Sequence, residues 1–349
     1  MALVPLISVV LPVFNAQPYI KEAVRSILDQ TFTDFELIIV NDGSTDGTLP
    51  ILLSYTSRDP RVVLISQKNH GLVATLNEGI RIARGKWIAR MDADDIAEPT
   101  RFERQLRCLE ETGADISGTW VQFFGTSDNR ILRHPESDTA IKAELLFGAP
   151  FAHPTVMMRA ALAKELHYDP AWERCEDYDL WERAARAGWQ MTNVPVVLLR
   201  YRQHESQVSS AFFVYQQLLS QQIRRRYWQY FLASKGIEDT LSINEVMKLR
   251  EPNPTSVDME QVDFVFRMLL ADAEAEEKRT IFYHMTKLYL RGAGGCPSMI
   301  LRWGRLNRKY GEGLGVRVKV QIGLLSLFRI HLDSPSMKKA KRIYAYFRI

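Results

Sequence analysis

Cysteine is scarce in this chain: Cys108, Cys175 and Cys296 are the only three in 349 residues. So few and so scattered, they cannot build a disulfide framework or a zinc knuckle, and a reducing cytoplasm is the expected compartment. Long apolar runs are also missing. The stretch most worth testing, residues 206–223, carries glutamines at 207, 216, 217, 221 and 222, whereas a membrane span needs ~20 mostly apolar residues. The apolar opening, residues 1–12, has no basic residue ahead of it. Pro12-Val13-Phe14-Asn15 is a poor cleavage site, so this opening reads as a buried strand and not a signal peptide. No Walker loop occurs and no Gly-x-Gly-x-x-Gly follows the first strand, which weakens kinase and dehydrogenase readings. There is no internal repeat and no low-complexity tract, and 46% hydrophobic with 25% charged residues excludes disorder, collagen and a coiled-coil rod.

What is present is a chain of two unlike parts. The length suggests about two domains at ~150 residues each. Residues 1–210 hold 22 basic and 28 acidic side chains, and residues 211–349 hold 23 and 13, so balances of −6 and +10 make up the net +4. From residue 290 onward 13 basic residues face only Glu312 and Asp333. Opposite signs imply separate jobs, the second involving something anionic. Residues 1–207 are expected to form a catalytic domain, and residues 208–349 a mainly helical, basic region that contacts membrane, acceptor or another subunit.

The first part alternates strand and helix. Residues 7–11, 37–40, 62–65 and 87–91 are short apolar runs of the kind buried on both faces. Between them fall a helix with Pro18 near its start and Ile20, Ala23, Val24, Ile27 and Leu28 inward, one capped by Ser44 or Thr45 carrying Leu49, Leu52 and Leu53, and one from Gly71 to Ala83 ended by Gly85. This order predicts a parallel sheet with right-handed crossovers, which binds ligands beyond the carboxyl ends of its strands. Asp42 follows one strand there, and Asp92, Asp94 and Asp95 follow another. In the second part, residues 208–234 read as a helix with an aromatic face (Phe212, Tyr215, Tyr227, Trp228, Tyr230, Phe231), and residues 260–291 as one or two more; 292–297 read as a linker before a weakly periodic tail.

Met91-Asp92-Ala93-Asp94-Asp95 packs three carboxylates into four residues. They are either a solvated turn ahead of the helix from Pro99 or ligands for a hard cation such as Mg2+ or Mn2+, which takes such oxygens together with those of a diphosphate. Asp42-Gly43-Ser44-Thr45-Asp46-Gly47 is either an ordinary glycine turn or a site where Asp42 accepts the N–H of a nucleobase, for which uracil's imide is suited. Glu176 and Asp177 open a helix with Leu180, Ala184 and Ala187 inward. They either suit the helix dipole or make Asp177 a general base toward an acceptor hydroxyl, a weak one if the helix N-terminus lowers its pKa. His204 follows the strand of residues 196–201 and is structural or a ligand. His153 sits in a Pro-flanked loop; Trp172, Tyr178 and Trp181 stack on sugar or fill the core.

Together Val10-Leu11-Pro12-Val13-Phe14-Asn15, Val40-Asn41-Asp42-Gly43-Ser44-Thr45-Asp46, Gly85-Lys86-Trp87-Ile88-Ala89-Arg90-Met91-Asp92-Ala93-Asp94-Asp95 and Glu176-Asp177-Tyr178-Asp179-Leu180-Trp181 resemble the family 2 glycosyltransferases, which build bacterial surface polysaccharides. The resemblance runs from about residue 6 to 205. It implies the α/β GT-A fold, with a Rossmann-like, mostly parallel sheet flanked by helices and a helical C-terminal region after it. It further implies that Pro12 and Phe14 line the nucleotide pocket, that Asp42 binds uracil, and that Gly71 belongs with them. Asp92 and Asp94 would hold the metal and diphosphate, Asp94 as principal ligand, with His204 completing the shell; Asp177 would be the base, hence inversion at the anomeric carbon. The loop of residues 148–153 would lie near donor sugar and acceptor. Many relatives have two acids where this chain has Asn41-Asp42.

The expected activity is that of an inverting, metal-dependent hexosyl- or N-acetylhexosaminyltransferase. It would take a UDP-sugar, with Mn2+ or Mg2+, and a glycan or lipid-linked acceptor. A nucleotidyltransferase would normally show a Gly-rich basic loop after the first strand, which is absent. The remaining alternative is a nucleotide-binding scaffold, or a nucleic-acid binder through residues 290–349, though the tail holds no nucleic-acid module. The tail either docks peripherally on anionic lipid of the cytoplasmic leaflet through Ile322, Leu324, Leu325, Leu327, Phe328 and Ile330, beside Arg317, Lys319, Arg329, Lys338, Lys339, Lys341 and Arg342, or is a solvated helical face that packs its apolar side on the catalytic domain. The sequence leaves the donor sugar, the acceptor and the oligomeric state open, a homo-oligomer included.

Overall fold

A computed structural model describes residues 4–204, 213–237, 240–251, 254, 256–296, 298–310 and 316–327. The chain divides into two compact units, residues 1–223 and 224–349.

In the first unit the apolar runs become strands covered on both sides. Every residue of β1 (Ile7–Val13) and β2 (Phe35–Asp42) is buried, as strands flanked by helices on two faces require. They join β3 (Val62–Gln67), β4 (Trp87–Arg90), β5 (Ile96–Ala97), β6 (Ile116–Phe124), β7 (Ile131–Leu132), β8 (Met157–Arg159) and β9 (Met191–Arg202) in one sheet, ordered β3-β2-β1-β4-β8-β6-β9-β5 with β7 on β6. The strands β3, β2, β1 and β4 pair in parallel. Because β8 is antiparallel to both β4 and β6, and β9 is parallel to β6, those last two strands run with the first four. The sheet is therefore mostly parallel, with β5, β7 and β8 reversed.

Among the described residues seven helices accompany this sheet: α1 (Ile20–Leu28), α2 (Thr48–Thr56), α3 (Leu72–Ile82), α4 (Arg101–Thr112), α5 (Asp138–Leu145), α6 (Ala160–Leu166) and α7 (Glu176–Arg186). The face of α1 buries Ile20, Ala23, Val24 and Ile27 as its spacing dictates. On α3, Gly79 lies against β1, and a Cβ there would meet Val10 Cγ1 at 2.4 Å; only glycine allows this approach. Two local expectations fail, and one open reading resolves toward the core. Ser44 and Thr45 do not cap α2, which starts after Gly47 without a side-chain cap, because Asn15 accepts from the Thr45 N–H and Ser44 Oγ accepts from the Asn15 N–H. Leu53 faces solvent next to the buried Leu52, and Ala187 is exposed because it lies one residue beyond the end of α7. Tyr178 and Trp181 are core residues, 3% and 0% exposed, so neither stacks on a sugar.

The second unit is helical. Its boundary falls inside α8 (Phe213–Ser234), and α9 (Thr240–Lys248), α10 (Met259–Ala271), α11 (Ala275–Gly292), α12 (Met299–Tyr310) and α13 (Val316–Leu327) follow. Trp228, Phe266, Tyr289 and Trp303 are buried in it. The aromatic face expected of α8 splits: Tyr227, Trp228 and Phe231 turn inward, Tyr215 and Tyr230 outward, and Phe212 lies outside the described residues. Among the described residues of the weakly periodic tail two helices, α12 and α13, stand in its first part, and they correct the expected lipid patch. Ile322 and Leu325 are buried while Leu324 and Leu327 are exposed; Phe328, Ile330, Arg329, Lys338, Lys339, Lys341 and Arg342 lie outside the described residues. Among the described residues no helix is long and apolar enough to cross a membrane.

Candidate active site

Two loci form at the carboxyl ends of the parallel strands. The first begins where β2 ends. Asp42, 4% exposed, accepts from the His70 N–H at 2.9 Å and Gln67 Nε2 at 2.8 Å on one oxygen, and from the Gly71 N–H at 2.9 Å on the other. A buried carboxylate with three donors is well satisfied, and it fastens the loop of residues 67–71 to the end of β2. Gly71 has φ +87° and Gly43 φ +75°, left-handed conformations that favour glycine; a Cβ on Gly43 would also strike the Asn69 nitrogen at 2.7 Å. Pro12 is buried within β1, and Phe14, just beyond its end, is 52% exposed.

The second locus follows β4. The guanidinium of Arg90, 4% exposed, forms an ion pair with Asp92. Asp94 Oδ2 accepts from His204 Nε2 at 2.9 Å; His204 in turn stacks on Tyr19, ring centroids 4.9 Å apart. The long strand β9 delivers this histidine across 110 positions of sequence. Arg202 secures the junction, its backbone N–H donating to Asp95 Oδ1 at 2.9 Å and its Nε to the Asp94 carbonyl at 2.7 Å. Asp95 is 1% exposed and its Oδ2 has no partner. Burial, and then the Asp92 and Asp94 charges, hold its carboxyl well above the usual range; burial raises Asp92 too, against the pull of Arg90.

Oxygens of Asp92, Asp94 and Asp95 lie within 4.8 Å of one another. Three hard oxygen donors, one of them a buried atom without a partner, fit a small divalent cation of the Mg2+ or Mn2+ kind.

Asp177 faces this second locus from the first turn of α7. Its pKa is raised by burial, opposed by the Tyr178 N–H and the Arg90 charge and reinforced by Asp92. The expectation of a carboxyl weakened as a base by the helix N-terminus is thus reversed: desolvation outweighs the dipole. The same guanidinium acts on Tyr168 and His153, whose OH and Nε2 are 2.7 Å apart. Burial, then Arg90, keeps His153 well below its ordinary pKa.

Glu176, 5% exposed, accepts from the Arg174 N–H at 2.7 Å. Burial, then the neighbouring Asp177 charge, lifts it to about 7. A carboxyl that binds its proton more tightly folded than unfolded loses stability as pH rises from ~4.5 to ~7. Glu176→Gln should therefore gain roughly 2–3 kcal/mol on the native protein between pH 5 and pH 8, measured by denaturant unfolding at both values. An equal difference at the two pH values would contradict this account.

The structure thus gathers Asp92, Asp94 and His204 after β4, with Asp92 paired to Arg90 and Asp177 near enough to feel both of those charges, and joins Asp42 to Gly71 on the other side of β1. Sequence reasoning missed Arg90, Tyr168 and Arg202, whereas Asp95 was read with its neighbours as a possible cation ligand and Glu176 as a first-turn acid beside Asp177. An arginine closing an otherwise apolar strand two residues before Asp92 was the available signal for the first.

Residues 8–166 match the model of the family described as glycosyl transferase family 2. An uncharacterized glycosyltransferase of Haemophilus influenzae is 34% identical over 259 residues, 70% of this chain and 80% of that protein. The O-antigen biosynthesis glycosyltransferase WbnJ of Escherichia coli is 31% identical over 243 residues, 68% and 93% of the two chains. In structure the chain is similar to S. aureus TarS 1–349, solved in complex with UDP-GlcNAc, with TM-score 0.52, 16% identity and coverage of 98% and 93%. At that identity the likeness concerns the fold, which is GT-A with a helical C-terminal region.

Proposed function

The chain belongs to glycosyl transferase family 2 and is a glycosyltransferase; on that premise we propose that it moves a hexosyl or N-acetylhexosaminyl group from a UDP-sugar to a hydroxyl of a glycan or lipid-linked acceptor, with inversion, in cell-surface polysaccharide synthesis. Residues 1–207 carry both substrate sites. The working place is the inner face of the cytoplasmic membrane, met peripherally by residues 208–349. The relative named for O-antigen biosynthesis and the neighbour solved with UDP-GlcNAc support the choice of acceptor and donor class.

The single observation that carries the reading is the meeting, around one buried guanidinium, of the three acids after β4 with Asp177 on α7. Pro12, Phe14, Asp42 and Gly71 form the nucleoside side, with Asp42 receiving the uracil N–H on its remaining lone-pair capacity. Neighbouring strands are ~4.8 Å apart, so the ends of β2 and β4, with β1 between them, are about 10 Å apart, leaving room for a nucleoside on one side and its diphosphate on the other. Asp92, Asp94 and His204 would hold Mn2+ or Mg2+, which when bound supplies Lewis-acid neutralisation of the diphosphate. The Asp177 carboxylate takes the proton of the acceptor hydroxyl. That oxygen bonds to the anomeric carbon as the bond from carbon to the β-phosphate oxygen breaks, and its electron pair leaves with UDP. A raised pKa makes Asp177 a stronger base than an exposed aspartate, provided the pH is above it.

The experiment is a screen for UDP release over a panel of nucleotide sugars with Mn2+ and Mg2+. Acceptor-dependent UDP release with one sugar is expected. Pyrophosphate release in place of UDP would identify a nucleotidyltransferase, and failure of UDP to raise the melting temperature in Mn2+ would favour a scaffold.

A further inference from the structure

We propose that the hairpin of α12 and α13 is the surface by which the protein docks on an anionic lipid bilayer. This deepens the reading above and rests on it for the membrane contact itself. On α12, Leu301 is 65% exposed, and Arg305, Arg308 and Lys309 are exposed with it. On α13, Val320, Leu324 and Leu327 are 52%, 52% and 74% exposed. Positions 301, 305 and 308, like 320, 324 and 327, are spaced by four and three residues, so each trio forms one stripe along its helix. These leucines are not core side chains caught at the edge, because Trp303, Leu306, Ile322 and Leu325 already fill the inner faces.

The two stripes share a side. Five residues, 311–315, separate the helices, a length typical of an antiparallel helical hairpin. Gly323 marks the contact: a Cβ there would come within 2.8 Å of Ile300 Cδ1. In antiparallel helices the residues that follow a contacting pair turn toward the same side, which brings Leu301 and Leu324 onto one face.

Charge identifies the occupant. Arg305, Arg308 and Lys309 are exposed beside the leucines, while Arg302 is paired with Asp263, and residues 299–327 hold the single acid Glu312. A bilayer with anionic headgroups satisfies both features at once, its phosphates taking the cations and its acyl boundary taking Leu301, Val320, Leu324 and Leu327. A soluble polyanion would use the cations and leave the leucines in water.

The test uses the full chain and vesicles of phosphatidylcholine with or without phosphatidylglycerol, at low and high salt. Co-sedimentation should require phosphatidylglycerol and weaken with salt. Leu324→Asp/Leu327→Asp and Arg305→Glu/Arg308→Glu should each lower the partition coefficient by about tenfold or more, with melting temperature and UDP binding unchanged. Should the aspartate pair unfold the unit, Leu324→Ser/Leu327→Ser replaces it with the same expectation at smaller size. Equal binding to neutral vesicles, or native-like binding by both folded variants, overturns the proposal. So does a leucine variant that alters only oligomeric mass, or an arginine variant that loses dextran sulfate and vesicles alike while the leucine variant loses neither. Vesicle binding is read without turnover, so its failure leaves the donor chemistry standing. Absent UDP release beside intact vesicle binding would strike the enzymatic reading alone.

Discussion

Asp177→Asn is expected to cut turnover by ~10²–10⁴, the usual loss when a positioned general base is removed, while leaving UDP binding intact. Asparagine matches aspartate in shape, and its carbonyl oxygen can still accept the Tyr178 N–H that now bonds Asp177 Oδ1 at 2.7 Å. The change therefore subtracts proton affinity and a charge, with little disturbance of α7. UDP release measures the first effect, and the thermal shift with UDP and Mn2+ measures the second. The charge has its own signature: Asp177 is, after burial, the largest influence raising Glu176, so the variant should also be more stable than the native protein above pH 7. Turnover within a few-fold of native, with that stabilisation present, would transfer the base assignment to Glu176.

Asp94→Ala should cost a hundredfold or more in turnover, and with it the divalent-dependent part of the UDP thermal shift. Asp94 is the point where the acids after β4 meet His204, at 2.9 Å. Without it, the histidine stacked on Tyr19 loses its carboxylate neighbour, and Asp92 is left committed to Arg90. His204→Asn should lose less, because the carboxylate oxygens remain. A folded Asp94→Ala protein that still responds to Mn2+ as the native one does would remove this residue from the cation site.

Much of the sheet was readable because strands buried on both faces leave continuous apolar runs, and residues 7–11 and 37–40 are such runs. The tips were readable for a related reason: acids directly after a buried strand stand out from its composition. Reversed β8 was not, since three residues beside a short 3-10 turn (His153–Thr155) carry no period of their own. Arg90 escaped because its importance lies in what surrounds it. A charged side chain in a strand is interpretable only once the acids of α7, 86 or more positions away, are known to converge on it. Asp177 was read with the wrong sign for its pKa because the helix dipole is visible in sequence, whereas desolvation by burial requires the packed fold. The exposed stripe proposed for docking was half legible: the basic apolar composition pointed to the segment, but the choice between Leu324 and Leu325 depends on which way α13 is rolled.

Under the proposed assignment of this locus to the nucleobase, the three hydrogen bonds on Asp42 bear on how donor preference can be changed. A wall held at residues 42, 67, 70 and 71 by one carboxylate is rigid before any nucleotide arrives, so little freedom is lost on binding. Fit to the base then resides in the shape of that whole cradle. Altering a single contact side chain would sooner collapse the recess than retune it, and accommodating a purine would require rebuilding residues 67–71 together with the end of β2.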